Sequence, residues 1–384
     1  MIPFNLPYYS GKELRSIASA MDTRILTGDQ ELTISCERLL EKKYGFSKVC
    51  LTNSCTNALE MAAMLIDIQP GDEVILPSYT YVSTANAFAL RGAKLVFADS
   101  KPDHPNIDED QIEKLISSKT KAIVIVHYAG VACNMDTIIA LAKKNGIRLI
   151  EDAAQCIDSF YNKEALGTFG DIACFSFHET KNIHCGEGGF IAINDASLIE
   201  RADVFRNKGT NRSAFFSGQV TKYEWVDLGF SAIPSAITTS FLYTQLLDID
   251  KVQVRRKKIW DRYFKNLTGL NKSGKVKLPF VPAYASNNAH IFYLVCKDRQ
   301  ERDELILYLK KNQIQAVFHY QSLHRSPYYL NKHDGRVLSN ADRYSDCLLR
   351  LPLFYDLNLK EVDYISEKII EFYLSPSLSK EKAD

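Results

Sequence analysis

The segment CFSFHETKNIHCGEGGFIAIN, residues 174–194, decides how this sequence is interpreted. An apolar run reaches Phe177, a single lysine follows at Lys181, and a glycine-rich turn then leads into a second apolar run. The two apolar runs predict buried strands, and a lysine between buried strands is costly unless it is paired or chemically converted. The residues that accompany Lys181 must therefore explain it.

Short apolar runs alternate with amphipathic stretches from about residue 48 to near residue 200. VCLTNS is followed by CTNALEMAAMLID, and KAIVIVHYAG is followed by MDTIIALAKKNG. Strand and helix in repetition predict crossover units and a mostly parallel sheet that is buried on both faces. Such sheets bind ligands at the carboxyl ends of their strands. We therefore expect PSYT, HYAG, EDAAQ and SFHETK, which each follow an apolar run, to gather at one edge.

The pattern weakens near residue 200. Residues 206–235 are polar and aromatic without clear periodicity, which predicts an excursion that covers a site or meets a partner chain. A long charged helix is predicted to link to a smaller α+β domain. The predicted division is a large domain over 1–249 and a small domain over 250–384, and the terminal SPSLSKEKAD is expected to fray.

Composition limits the possible function classes. The chain has 384 residues, 46% of them hydrophobic and 24% charged, which is ordinary for a globular protein with room for two cores. A net charge of +1 argues against nucleic-acid and membrane partners. No apolar run approaches the roughly 20 residues of a membrane span, and no secretory signal is recognisable. The nine scattered cysteines are interpreted as reduced thiols, so a cytoplasmic location is expected.

Two other types of site lack support. His178, His184 and Cys185 lie close in sequence, but their spacing fits no zinc pattern, so no metal site is predicted. A Rossmann dehydrogenase would need GxGxxG after the first strand. The only similar run, GEGGF, comes late and precedes a strand rather than opening a helix.

Three groups at strand ends explain Lys181. Asp152 follows an apolar strand, residues 52–60 (TNSCTNALE) place hydroxyl and thiol groups at a strand-to-helix junction that favours a phosphate, and Ser176 adds a further hydroxyl. Pyridoxal 5′-phosphate needs a Schiff-base amine, a partner for its pyridinium nitrogen and an anchor for its phosphate. Each feature alone has a simpler explanation, such as a helix cap or a hairpin turn. Together and in this order they predict this cofactor.

At these residues, and over nearly its whole length, the sequence resembles the DegT/DnrJ/EryC1/StrS family of sugar-nucleotide aminotransferases. The resembling segments are, in order, PSYTYVSTANAFALRGAKLVFADS, HYAGVACNMD, EDAAQ, FSFHETKN, GEGGF and KGTNRSAFF. The resemblance implies the α/β fold type I of the pyridoxal-phosphate-dependent transferases, which is aspartate-aminotransferase-like. The expected large domain has a mostly parallel seven-stranded sheet, and the expected small C-terminal domain is α+β.

The resemblance also implies a role for each residue of the cofactor site. Lys181 is expected to carry the cofactor covalently, and Asp152 to pair with the pyridinium nitrogen. Gln155 is expected over the ring or its O3′, and Tyr81 to stack on the ring. His178, three residues before Lys181, is close enough to modulate the lysine. The phosphate is expected to be held by Ser54, Cys55, Thr56 and Ser176.

A homodimer with a shared active site is a further implication. The family completes its phosphate site from the second subunit, through the segment that matches GFSAIPSAITT, residues 229–239, so Ser231 is predicted to bind the cofactor there. Many relatives have Asn at Ser231, and acidic and amide residues at Ala236 and Thr238. Pro234 also reshapes this loop. These departures bear on the cross-subunit contacts, and the core cofactor set is unchanged.

Two motifs, KGTNRS and FHYQSLH, carry side chains that suit a nucleotide diphosphate or sugar hydroxyls. The predicted substrate-binding residues are Lys208, Asn211, Arg212, His319, Tyr320 and His324. MIPFN, FHETKN, GTNRS and LLRLPLFY resemble the family members that aminate dTDP-4-keto-6-deoxyglucose at C4 with glutamate. That reaction gives dTDP-4-amino-4,6-dideoxygalactose for surface polysaccharides.

Other activities stay open at this stage. The same fold would serve C3 amination of a dTDP-keto-sugar, or C4 amination to the gluco epimer, because the pocket differences are too subtle for sequence reasoning. Cofactor-dependent sugar dehydratases carry histidine in place of the lysine, so Lys181 argues against that activity. A non-catalytic binding or regulatory protein on this scaffold is disfavoured by the intact Lys181, Asp152 and Ser176.

Overall fold

The structure is a computed structural model that describes residues 1–374, so the predicted fraying of 375–384 lies outside the described residues. The strands are β1 (Lys48–Thr52), β2 (Glu73–Pro77), β3 (Lys94–Ala98), β4 (Thr120–Val126), β5 (Arg148–Asp152), β6 (Phe160–Tyr161), β7 (Glu164–Ala165), β8 (Ile172–Ser176), β9 (Gly189–Ile193), β10 (Phe292–Val295), β11 (Val317–Phe318) and β12 (Leu348–Leu351). The helices are α1 (Glu13–Asp22), α2 (Glu31–Tyr44), α3 (Cys55–Leu65), α4 (Val82–Ala89), α5 (Glu109–Leu115), α6 (Met135–Asn145), α7 (Ile199–Arg206), α8 (Arg212–Phe216), α9 (Ala236–Leu247), α10 (Ile249–Lys272), α11 (Arg299–Lys311), α12 (Ser339–Cys347) and α13 (Leu359–Leu374).

Seven strands form one sheet in the order β1-β9-β8-β5-β4-β2-β3. The pairs among β8, β5, β4, β2 and β3 are parallel, and β9 runs antiparallel to both of its neighbours. This arrangement confirms the predicted mostly parallel sheet. It also means that β1, β2, β4, β5 and β8 all point their carboxyl ends to the same edge.

The sheet is buried on both faces, which is why its strands are almost continuously apolar. Alternate residues of one strand belong to different cores: Val74 and Leu76 pack with α3 and α4, whereas Ile75 packs with α2 and α6. Because all three side chains are fully buried, the centre of β2 is apolar on both faces. The crossover helices thus fix the position of each strand end.

A second layer follows the long helix α10. Strands β10, β12 and β11 form an antiparallel sheet that packs against α10, α11 and α13 around a third core. The sheet places residues 318–321 and Arg350 beside the edge of the large sheet. The domain boundary at 249/250 stays a prediction.

Residues 206–235 form a largely irregular segment with the short helix α8. Trp225 is 77% exposed, Phe216 is 71% exposed, and Leu228 is also exposed. Large apolar side chains in solvent are informative when they cluster in one segment. Within residues 1–374, no helix is both long enough and apolar enough to cross a membrane.

Candidate active site

A cavity of about 700 Å³ lies at the carboxyl edge of the large sheet. It is lined by the residues that follow β1, β2, β5 and β8, and by the end of β4. The small sheet closes it with residues 318–321 and with Arg350. The convergence expected from the strand order therefore occurs, because parallel strands bring their carboxyl ends together.

Asp152, the last residue of β5, is buried at the floor of this cavity. Its Oδ2 accepts a hydrogen bond from Thr84 Oγ1 at 2.6 Å, and its Oδ1 accepts one from the Ala154 N–H at 3.1 Å. Burial raises the pKa of this carboxyl, and the two hydrogen bonds oppose that rise by favouring the charged form. A cationic partner in the cavity would be stabilised by this carboxylate.

Lys181 lies in the turn between β8 and β9 and lines the same cavity. Its backbone N–H donates to the His178 carbonyl at 2.9 Å, which fixes the turn. Burial lowers the pKa of the lysine, so a larger fraction is the neutral amine at a given pH. Among residues 1–374 its Nζ has no hydrogen bond or ion pair, which leaves the amine free to react.

The N-terminus of α3 forms the opposite wall. Ser54 is its N-cap and accepts a hydrogen bond from the Asn57 N–H at 3.1 Å, whereas the N–H groups of Cys55 and Thr56 have no acceptor among residues 1–374. A Cβ at Gly189 would lie 2.6 Å from Cys55 N and 2.5 Å from the Phe175 carbonyl. Glycine at this position therefore lets β9 and β8 approach the helix end closely.

Three further predicted cofactor residues meet here. Tyr81, the N-cap of α4, is 58% exposed, and its ring centroid is 5.9 Å from that of Tyr320. Gln155 is held at both ends, because its Oε1 accepts from the Ala129 N–H at 2.6 Å and its Nε2 donates to Tyr320 Oη at 3.2 Å. Ser176 lies at the end of β8, and its Oγ accepts from the His178 N–H at 3.2 Å.

His178 lies at the rim of the cavity, with 40% of its side chain exposed. Its Nδ1 accepts a hydrogen bond from the Thr180 N–H at 3.3 Å, which puts the ring proton on Nε2. Nε2 is 3.6 Å from Glu187. The histidine is thus held by its own turn, with its second nitrogen near an acid.

The predicted substrate residues divide into two groups. His319 and Tyr320 line the cavity, but His324 does not: its Nδ1 is 2.7 Å from Ser78 Oγ in a buried pair. Lys208, Asn211, Arg212 and Ser231 lie outside the cavity of their own chain. Asn211 bonds within its segment, to Lys222 and Glu224, Arg212 stacks on Phe216, and exposed Ser231 accepts from Asn53 through its carbonyl.

The structure adds cavity residues that the sequence motifs do not indicate. Arg350 comes from β12, His290 from the residues before β10, and Ser83 from the first turn of α4. Thr84, next to Ser83, does not line the cavity but bonds to Asp152. Ser83 Oγ is 2.8 Å from Thr56 Oγ1, which ties α4 to α3. Arg350 lies inside LLRLPLFY, a segment that carries part of the family resemblance, and an arginine within that apolar run is the signal that pointed to it.

These residues fit pyridoxal 5′-phosphate. The unpaired Lys181 Nζ meets the need for a free amine, and buried Asp152 meets the need for a carboxylate. The unbonded N–H groups of Cys55 and Thr56 at a helix N-terminus suit a phosphate, and a Cβ at Gly189 would crowd that position. The chemistry of this donor set matches the predicted cofactor at all three of its contacts.

Comparisons with known proteins agree with this geometry. The profile of the DegT/DnrJ/EryC1/StrS aminotransferase family matches residues 9–370. Spr1654 from Streptococcus pneumoniae, assigned as a sugar aminotransferase and solved in PMP and PLP forms, has 26% identity. In its PMP form the TM-score is 0.89, and the match covers 97% of this chain and 99% of that chain.

Two other solved structures are similarly close. The aminotransferase TlmJ from Streptoalloteichus hindustanus has 27% identity and a TM-score of 0.89, covering 99% of this chain and 100% of that chain. A DegT DnrJ EryC1 StrS aminotransferase from Brucella abortus has 27% identity and a TM-score of 0.86, covering 95% of this chain and 96% of that chain. The similarity therefore extends over both sheets.

Proposed function

Because this chain belongs to the DegT/DnrJ/EryC1/StrS aminotransferase family, we propose that it transfers the amino group of L-glutamate to C4 of dTDP-4-keto-6-deoxy-D-glucose. The product would be dTDP-4-amino-4,6-dideoxy-D-galactose, for surface polysaccharides. The comparisons confirm the coarser predictions: the chain is a sugar aminotransferase of fold type I that depends on pyridoxal phosphate. The dTDP sugar, the donor and the stereochemistry are the proposal.

The observation that carries the proposal is the meeting of Lys181 and Asp152 in one cavity with the N-terminus of α3. Bound pyridoxal phosphate supplies an aldehyde that accepts the amino group and a ring that takes up the electron pair left on the substrate carbon. Lys181 would hold the group covalently between turnovers. Its neutral Nζ would take a proton from the α-carbon of the donor and later deliver one to C4 of the sugar.

The remaining residues would bind the cofactor and orient it. Asp152, held by Thr84 and Ala154, would keep the ring nitrogen protonated, because a buried carboxylate strongly favours a cation beside it. Ser54, Cys55, Thr56 and Ser176 would hold the phosphate through hydroxyl and backbone donors. Tyr81 and Gln155 would limit the movement of the ring, and the exclusion of water by the small sheet would strengthen each of these contacts.

Sequence resemblance supports the assignment of the sugar. FHETKN, GTNRS and LLRLPLFY resemble C4 aminotransferases of dTDP sugars, and LLRLPLFY contributes Arg350 to the cavity. His319 and Tyr320 line the cavity, where the Tyr320 hydroxyl suits a sugar hydroxyl. C3 amination and the gluco epimer at C4 are the competing outcomes.

We also propose a cytoplasmic homodimer. Lys208, Asn211, Arg212 and Ser231 lie outside the cavity of their own chain, in a segment with exposed aromatic side chains. Across a twofold axis such a segment would reach the site of the other subunit, where its cationic and amide groups suit a diphosphate.

One incubation tests the proposed reaction. The enzyme is mixed with pyridoxal phosphate, L-glutamate and dTDP-4-keto-6-deoxyglucose, and the isolated product is analysed by NMR. The proposal expects an axial amine at C4, which is the galacto configuration. An equatorial amine at C4, an amine at C3, or no amination with this sugar while another keto-sugar nucleotide reacts would overturn it.

A further inference from the structure

His290 lines the active-site cavity with one ring nitrogen bonded to the protein and the other free. Its Nδ1 is 2.9 Å from Oδ1 of Asn182, the residue that follows Lys181. Its Nε2 has no hydrogen-bond partner among residues 1–374. In a neutral imidazole one nitrogen donates and the other accepts, so the role of Nε2 depends on which nitrogen carries the proton.

A backbone carbonyl decides where that proton lies. The carbonyl oxygen of Asn288 can only accept, and it is 2.9 Å from the amide of Asn182, so Nδ2 of that amide faces it. The same Nδ2 donates to Gln253 Oε1 at 2.8 Å. The amide oxygen of Asn182 therefore faces His290 and accepts the proton of Nδ1. Nε2 is left with a lone pair, so His290 presents a hydrogen-bond acceptor to the cavity.

The backbone at His290 is held as firmly as its ring. Arg256 on α10 is buried, and it donates to the carbonyl of Ala289 at 3.1 Å and to that of His290 at 2.7 Å. Ala289 has a φ of +51°, in the left-handed region that residues with a side chain rarely adopt. Such backbone persists only where the surrounding structure enforces it, and it is concentrated at functional sites.

The ring of His290 is also kept neutral. Burial lowers its pKa well below the usual value, and charge lowers the pKa further, through the neighbouring basic groups Lys181, Arg350, Arg256 and His319. Nε2 therefore keeps its lone pair at neutral pH. Of these charges, that of Lys181 acts most strongly, so the ring lies near the amine. A group that bonds to Nε2 is consequently close to the substrate carbon that exchanges nitrogen.

We propose that His290 binds the keto-sugar by accepting a hydrogen bond from the hydroxyl group next to the carbonyl carbon. This inference rests on the proposed function and names how the same site recognises its second substrate. Beside its reacting carbon the amino donor has an ionised carboxylate, which cannot donate to a lone pair. A sugar has hydroxyl groups there, which can. His290 thus distinguishes the sugar from the donor by the direction of one hydrogen bond.

The two halves of the reaction are measured separately, from the absorbance of the bound cofactor in single turnovers. His290→Asn keeps an amide at the place of Nδ1 and loses the acceptor in the cavity, whereas the amide of His290→Gln reaches the place of Nε2. His290→Asn should slow transfer to dTDP-4-keto-6-deoxyglucose on the order of tenfold and leave transfer from glutamate unchanged. His290→Gln should recover part of the loss. Arg299→Gln, at a 70% exposed position of α11, should match the wild type.

An analogue of the sugar identifies the hydroxyl group. In dTDP-4-keto-6-deoxyglucose the hydroxyl next to the carbonyl is on C3, and the 3-deoxy analogue lacks it. The wild type should lose as much with the analogue as His290→Asn loses with the normal sugar, and His290→Asn should lose nothing further with the analogue. An additional loss in the variant would mean that another group binds this hydroxyl.

Asn182→Asp tests the direction of the hydrogen bond while keeping the ring. A carboxylate beside Nδ1 favours the imidazolium, so Nε2 would carry a proton at neutral pH and become a donor. The rate of transfer to the sugar, relative to the wild type, should be low at neutral pH and rise as the pH is raised and His290 loses that proton. A relative rate that stays constant with pH would assign Asn182 and His290 a purely structural role.

Other results overturn the inference. Equal slowing of both half-reactions by His290→Asn would place His290 against Lys181 or the cofactor, and wild-type rates in both would leave Nε2 without a substrate. Failure of the proposed sugar is recognised separately, because the wild type would then not aminate dTDP-4-keto-6-deoxyglucose at all. The same comparison is in that case made with the keto-sugar nucleotide that the wild type does aminate and with its analogue deoxygenated next to the carbonyl.

Discussion

The small sheet buries the edge of the large sheet, and this burial shifts the pKa values of Lys181 and Asp152 in opposite directions. Burial lowers the pKa of the lysine and raises that of the aspartate. Both shifts favour the uncharged forms, which a reactive amine needs and a counter-ion does not. The hydrogen bonds from Thr84 and Ala154 keep the aspartate usable as an anion.

Replacing the lysine tests its role directly. Lys181→Ala should lower turnover on the order of 10³-fold or more, because no other free amine lines the cavity in residues 1–374. Product formation by NMR and circular dichroism of the folded variant are the measurements. Lys114→Ala, at an exposed position of α5, should keep full activity. Wild-type turnover by Lys181→Ala would mean that the proton is moved elsewhere.

The hydrogen bond from Thr84 to Asp152 predicts how the activity depends on pH. The Thr84 hydroxyl donates to Asp152 and so lowers the pKa of the carboxyl, and Thr84→Val should therefore raise that pKa. Since the ionised carboxylate is the active form, kcat/KM should begin to fall at a higher pH when the solution is acidified. The profile of Thr137→Val, on α6, should coincide with that of the wild type. An unshifted acidic limb would show that this hydrogen bond does not tune Asp152.

At the scale of elements, the phosphate wall depends on how closely β9 meets α3. The helix begins at Cys55 because Ser54 caps it, and its first amides are left open towards the cavity. A strand with any side chain at Gly189 would push against backbone atoms of the helix end and of β8. The anion site is thus made by a close packing of two elements rather than by a charged side chain.

Gly189→Ala should lower the free energy of unfolding by about 1–3 kcal/mol and weaken cofactor binding, because the added Cβ meets backbone that has no flexible side chain to yield. Denaturant unfolding of the apoenzyme and cofactor titration measure the two effects. Gly269→Ala is the matched control, since nothing lies within 4 Å of a Cβ there and α10 should gain about 0.5–1 kcal/mol. Equal stabilities of the two variants would contradict the close-packing argument.

At the scale of the whole molecule, residues 206–235 contribute no side chain to the cavity of their own subunit. Trp225 and Phe216 expose large apolar surfaces there, and the polar residues of the segment do not reach the cavity. A twofold assembly would bury the exposed aromatic side chains and place the polar residues of the segment near the active site of the other subunit.

Trp225→Glu should therefore raise the dimer dissociation constant by at least about tenfold and lower activity in parallel at low protein concentration. Sedimentation velocity over a dilution series, with activity measured on the same samples, tests this. Val337→Glu, at an 83% exposed position outside the segment, should leave both unchanged. A wild-type chain that sediments as an active monomer would remove the shared site altogether.

The sequence by itself determined the features that depend on residues close together in the chain, namely the strands, the helices and the residues at strand ends. Short apolar runs alternating with amphipathic stretches predicted the parallel sheet, and the order of strand ends predicted that Ser54, Asp152, Ser176 and Lys181 would share one edge. These residues lie at the ends of strands or shortly after them, so the topology of the sheet brings them together. The cofactor prediction followed because its three contacts are made by this set.

Tertiary structure alone decided what comes from distant segments. Arg350, some 170 positions beyond Lys181, enters the cavity because β12 is held between β10 and β11, and Thr84 reaches Asp152 through the packing of α4. The same packing put His324 against Ser78, away from its motif neighbours His319 and Tyr320. Sequence spacing carries no information on such contacts, because the direction of a side chain in an irregular loop is set by what it packs against.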